Sequence, residues 1–182
     1  RVVGIIQARV GSTRLPKKIF AEISGKPLLY HVLKRARKSR KIHDVVVATT
    51  RNPQDDVVED WCLAENVSIF RGDEEDVLRR FYEAAVSYNA DTVVRITADD
   101  PFKDPVIIDQ VIDMYFRDGL DFSCNNNPPS FPEGLDVEVF SMDALTEANI
   151  NASSSFEREH VTQYFYRHPK KYLLGNYAYK EN

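Results

Sequence analysis

The 182-residue chain holds 28 acidic against 24 basic residues, a net charge of −4, with 43% hydrophobic residues and no low-complexity block. Such a composition excludes a disordered chain and suffices for one domain with its own core. The acidic balance argues against a broad basic face for nucleic acid, and no apolar run reaches the roughly 20 residues that span a bilayer.

Val2 to Ile6 is an unbroken apolar run, the pattern of a strand covered on both faces of a parallel sheet. Ala8 to Lys18 then packs Arg9, Arg14, Lys17 and Lys18 beside Gly11, Ser12 and Pro16. A helix is predicted over Pro27–Ser39, with Leu29, Val32, Leu33 and Ala36 on one stripe. Val45–Thr50 reads as a second buried strand. Asn52-Pro53 and an acidic stretch open a helix carrying Val57, Val58, Trp61 and Cys62. A short strand follows over Val67–Phe70, then a helix over Asp76–Tyr88 and a fourth strand over Thr92–Thr97. Asp104-Pro105 is a cap and first-turn pair for a helix to about Phe116, closed by Gly119.

Beyond Phe122–Asn125 and the turn-rich NNNPPSFPEG, LDVEVF alternates as a strand over Leu135–Phe140. Two further helices are expected, the second opening at Ser154 with Glu157 at capping-box spacing, and Tyr172–Tyr179 suggests a last strand. The alternation predicts an α/β fold, a Rossmann-like, mainly parallel sheet flanked by helices. Ligands of such sheets sit at the carboxyl ends of the strands. Cys62 and Cys124 match no metal or disulfide spacing and are expected as buried free thiols; with no signal peptide at the N-terminus, the expected location is cytoplasmic.

The loop after the first strand fits neither the Walker pattern nor the dinucleotide fingerprint, because Gly11 stands alone. Forked arginines, compact lysine charges and a glycine that exposes backbone N–H groups still suit a polyphosphate. Asp-Asp-Pro at 99–101 reads as a metal-holding turn or as plain punctuation after a strand. Asp136 and Glu138, two apart, fall on one strand face, where they meet a ligand if the strand is inner and water if it is an edge. Glu157, Arg158, Glu159 and His160 make a dense polar group at a helix start.

IIQARVGSTRLPKK resembles the nucleotide-binding signature of the cytidylyltransferases that activate acidic sugars. GKPLLYHVLKRA, VVVATTRNPQDD, GDEEDVLRRFYEAA, VVRITADDPFKDP, GLDVEVFS and REHVTQYFY recur in that order in the spore-coat-polysaccharide and acylneuraminate branch, with ketodeoxyoctonate synthetases more distant. The resemblance implies a nucleotide-diphospho-sugar transferase type of fold, one nucleotidyltransferase domain over 1–182, and transfer of CMP from CTP to an acidic sugar with loss of pyrophosphate. It places Arg9, Ser12, Arg14 and Lys18 on the triphosphate, with Gly11 and Lys17 in the same loop and Lys17 where glycine is frequent. Ala8, Thr49 and Thr50 would line the pyrimidine and ribose. Asp99 would hold Mg2+, with Arg14, Lys18 and Asp99 as the catalytic group. Asp136, Glu138, Arg158 and His160 are candidates for the sugar, and pairing of two chains is carried over from related synthetases. The family's later L-T-V-D-x-x-x-D segment lies past the last residue here, so a second metal ligand comes from there or from elsewhere. A glycosyltransferase with Asp136-Val137-Glu138 as its metal motif, and a binding domain without turnover, remain as alternatives.

Overall fold

A computed structural model describes residues 1–11 and 17–179. In chain order, β1 (Val2–Gln7) leads through a hairpin of β2 (Glu22–Ile23) and β3 (Lys26–Pro27) to α1 (Leu28–Ala36). Then come β4 (Asp44–Thr50), α2 (Asp56–Ala64), β5 (Ser68–Gly72), α3 (Val77–Ser87), β6 (Thr92–Thr97) and α4 (Pro105–Arg117). The chain continues as β7 (Phe122–Cys124), β8 (Glu138–Ser141), α5 (Met142–Asn151), α6 (Ser155–Glu159), α7 (Gln163–Arg167) and β9 (Leu174–Asn176).

Seven strands form one sheet in the order β5-β4-β1-β6-β8-β7-β9. β5, β4, β1 and β6 run parallel, whereas β8 is antiparallel to both β6 and β7. The apolar run of β1 has its reason here. Val2 and Ile6 join a core built with α1, α2 and α4, while Val3 and Ile5 join one built with α3, α5 and α7 on the opposite face. A strand buried on both faces needs apolar side chains in both registers.

The local signals act as their chemistry requires. Asp104 accepts from the N–H groups of Val106 and Ile107 at 2.7 and 3.2 Å, and the Ser154 hydroxyl accepts from Glu157 N–H at 3.3 Å. Two of the expected strands are shorter than the sequence suggests. LDVEVF pairs only from Glu138 onward, so Asp136 lies in the loop before β8 rather than on its face. The last strand is three residues, Leu174–Asn176, because only there does it pair with β7. A third short helix, α7, also follows where two helices were expected in all after β8.

Strand order reverses between β1 and β6. From β1 the chain builds outward through β4 and β5, then returns to place β6 on the other side. The carboxyl ends of these neighbours open a crevice where α/β proteins bind ligands. Gln7 of β1 pairs with Thr97 of β6, so the loops starting at Ala8 and Ala98 leave the sheet side by side.

Candidate active site at the strand switch point

Two loops meet over this crevice. Lys18 Nζ donates to Asp99 Oδ2 at 3.2 Å, bringing a cation of the first loop onto the acidic turn of the second. Ser12 and Arg14 lie outside the described residues. Arg9 is exposed on the wall of a cavity of about 620 Å³, lined also by Gln7, Glu74, Arg95, Arg158 and His160. That volume suits a small-molecule ligand.

The first loop is anchored from below. Asp55 is fully buried; its Oδ1 accepts from Val10 N–H at 2.8 Å, and its Oδ2 accepts from the Thr50 hydroxyl. One carboxylate thus joins the exit of β1 to the exit of β4. Lys17 N–H donates to the Val10 carbonyl at 3.1 Å, closing the loop. Lys17 itself is exposed and takes a left-handed backbone, φ +56°, the region in which glycine costs least. Gly11 passes so close to Gln54 that a Cβ would lie 2.9 Å from its Nε2. Ala8 is buried and donates to the Ala48 carbonyl at 3.1 Å; Thr49 is buried at the end of β4.

A second, smaller cavity of about 150 Å³ holds Thr97, Asp99, Asp100, Asp136, Glu138 and Arg95 around it. Asp100 is fixed by the Thr97 hydroxyl at 2.6 Å and by Lys103 Nζ at 3.1 Å. Burial pushes the Asp100 carboxyl up, but Lys103 and Thr97 outweigh it and hold the carboxyl below the usual range. Lys103, itself buried, also donates to the Asp136 carbonyl at 2.7 Å. One lysine thereby sets both acidic segments.

Glu138 stands on an inner strand, which removes the exposed-edge reading. Arg95 donates to it at 2.5 Å and the Tyr166 hydroxyl at 3.2 Å. Burial, and then Glu138 itself, push the Tyr166 phenol up, so it stays a donor. With both oxygens engaged, Glu138 is a poor metal ligand for an Asp-x-Glu motif. Arg158 is likewise occupied, with Asp76 at 2.5 and 3.0 Å and the Asn149 carbonyl at 2.7 Å. His160 lines both the large cavity and a third one of about 420 Å³ next to Arg95, Glu138 and Tyr166.

The sequence reading does not single out Asp55, Lys103, Arg95 or Arg80. Two of these leave a signal. Arg95 is the charged residue inside the apolar TVVRIT, and Arg80 interrupts the stripe of Val77, Phe81 and Ala84 on α3. A charge placed where burial is expected needs a partner or a ligand.

A cationic loop and a carboxylate turn leaving adjacent parallel strands at the switch point define an α/β nucleotidyltransferase type of protein. Residues 3–181 match the cytidylyltransferase family model, and the chain belongs to that family. It is 36% identical over 178 residues to the spore coat polysaccharide biosynthesis protein SpsF of Bacillus subtilis, covering 95% of this chain and 73% of that one. A cytidylyltransferase structure from Leptospira borgpetersenii superposes with a TM-score of 0.94 at 34% identity, over 99% of this chain and 76% of that one. CMP:2-keto-3-deoxy-manno-octonic acid synthetase complexed with CTP shares the fold, with a TM-score of 0.77 at 19% identity over 98% and 90% of the two chains.

Proposed function

We propose that the chain transfers CMP from CTP to a hydroxyl of an acidic sugar and releases pyrophosphate, in the making of a surface or spore polysaccharide. The contact of Lys18 with Asp99 across the switch point carries this reading, because it puts a cation suited to phosphate beside a carboxylate suited to a divalent metal. The sugar oxygen forms a bond to the α-phosphorus, the bond from that phosphorus to the α–β bridging oxygen breaks with its electron pair leaving on pyrophosphate, and the hydroxyl proton passes to water. Such chemistry asks the protein mainly to position groups and neutralise charge.

Arg9, Arg14 and Lys18 hold the phosphates in this reading, and the cavities around Arg95, Asp136 and His160 receive the sugar. Among the described residues no group of three or more His, Cys, Asp or Glu is arranged to hold a metal. Magnesium needs no such group: it binds through one or two carboxylates and takes phosphate and water in its other positions. Asp99, half exposed, is the carboxylate for it, with Asp100 beside it. When bound, the ion would neutralise phosphate charge and acidify the attacking hydroxyl.

The test is pyrophosphate release from CTP and magnesium with ketodeoxyoctonate, N-acetylneuraminate and other acidic sugars. Pyrophosphate should appear with one of them; none with any, together with no CTP binding, overturns the reading. Arg14→Ala should weaken CTP binding at least about tenfold, as loss of a charge-assisted contact does, with the melting temperature unchanged. An equal loss of both denies Arg14 the role.

A further inference from the structure

The outer face of α1 concentrates cations that the site at the switch point does not use. Positions 34–41 hold Lys34, Arg35, Arg37, Lys38, Arg40 and Lys41, in a chain whose acidic residues outnumber its basic ones. His31, Lys34, Arg35 and Lys38 fall three and four apart, so they share one side of α1 and of the turn that continues it. Together with Asp104 and Pro105 at the start of α4 they line a cleft of about 420 Å³, large enough for a small ligand. It shares no lining residue with the cavities at the switch point.

Lys34, Arg35 and Lys38 form no ion pair among the described residues, whereas Lys41, Arg71, Arg79 and Arg158 each meet a carboxylate oxygen at 2.5–2.8 Å. Lys34 has the ring of Tyr30 at 5.7 Å, which it shares with Lys26 at 5.2 Å. Arg35 Nη1 donates to the Lys103 carbonyl at 3.3 Å, which fixes the guanidinium on the floor of the cleft. Asp104, the acidic residue of the wall, is committed to the N–H groups of Val106 and Ile107. Like charges at this spacing repel and destabilise a helix. The helix dipole favours cations in the last turn, which holds Lys34 and Arg35, but it gives no reason to leave them unpaired around a cleft. A bound anion does, because it turns the repulsion into attraction. Two lysine point charges and an arginine fork are the donors that suit phosphate oxygens. Three cations exceed what one carboxylate balances, so the matching group carries two negative charges.

We infer that the cleft between α1 and α4 is a second, non-catalytic binding site for a dianionic phosphate group, a pyrophosphate or a phosphomonoester, held by Lys34, Arg35 and Lys38. It stands apart from the proposed function. A soluble anion and a lipid headgroup can both present such a group.

Calorimetric titration with inorganic pyrophosphate tests it. Wild-type protein should take up two equivalents, one at the loop after β1 and one in the cleft. In Lys34→Gln/Lys38→Gln the cleft equivalent should weaken at least about tenfold, as loss of charge-assisted contacts does, with the melting temperature and CTP affinity unchanged. Lys18→Gln should weaken the other equivalent instead, so the cleft is tested whether or not CTP is the substrate. Sedimentation with phosphatidylcholine vesicles, plain or carrying phosphatidic acid, separates the sources. Co-sedimentation with the phosphatidic acid vesicles only, lost in the double variant, assigns the cleft to a lipid phosphate. A protein that binds the second equivalent and stays in the supernatant with both vesicles assigns it to a soluble one. A single equivalent, lost in Lys18→Gln, with no vesicle binding overturns the inference. Two equivalents that survive in the double variant overturn it too, because the second then lies elsewhere. An equal loss of CTP and pyrophosphate affinity in the double variant also overturns it, since that places the lysines at the nucleotide.

Discussion

Asp55 concentrates more of the site's geometry than any of the cations above it. Its carboxylate holds Val10 of the loop after β1 and Thr50 at the end of β4 at once, fully out of water. Asp55→Ala would leave two buried donors, the Val10 N–H and the Thr50 O–H, without acceptors, at about 1–3 kcal/mol each. The midpoint of urea unfolding should fall accordingly. In the variant that remains folded, CTP affinity should drop although Asp55 touches no phosphate, because the loop loses its anchor. A variant with wild-type stability and CTP binding would show that the loop holds its shape unaided. Lys18 and Asp99 contrast with this: their contact is half exposed, so its own contribution to stability is small, under about 1 kcal/mol.

At the scale of elements, the segment between β6 and α4 is set by Lys103, buried, with Asp100 and the Asp136 carbonyl as its acceptors. Because the folded Asp100 carboxyl titrates below its unfolded value, it adds stability above about pH 4, the unfolded range of an aspartate. That contribution disappears as the pH falls through the folded value. Asp100→Asn should therefore be less stable than wild type at pH 7, with the gap narrowing as the pH falls below about 4, the unfolded range of an aspartate, measured by urea unfolding across that range. A gap that persists in acid would mean that the loss is one of packing rather than charge.

The α helices and inner strands were legible because their periodicity and caps are local properties of the chain. The stretch from 122 to 141 was less so. Its alternation is real, but pairing with β6 and β7 determines that β8 begins at Glu138, and pairing is not written in the strand itself. The same limit applies to the site. Lys18 and Asp99 stand in recognisable motifs, whereas Asp55 and Lys103 act through contacts between segments far apart in sequence.

For the whole molecule, the sheet separates two cores, and each holds one free cysteine, Cys62 with α1, α2 and α4, Cys124 with α3, α5 and α7. Burial, and then Glu59, push the Cys62 thiol up to about 12, and burial pushes Cys124 up as well. Neither should react with a disulfide reagent at pH 8 in the native protein. Since β1 and β4 contribute side chains to both cores, the two faces should open together. Both thiols should then become reactive over one urea transition; two separate transitions would show that the faces unfold independently.

The pairing of β1 with β6, from Val2 opposite Thr92 to Gln7 opposite Thr97, works as a ruler. The loop that would grip the phosphates is counted from one strand and the acidic turn from the other, so their separation is graduated in whole residues. A slip of one residue would move the turn by about 3.3 Å, far beyond the roughly 1 Å of misplacement that costs an enzyme a hundredfold. It would also send every side chain of β6 to the opposite core, which both faces of the sheet resist. The backbone ladder therefore calibrates the site more tightly than any side chain in it.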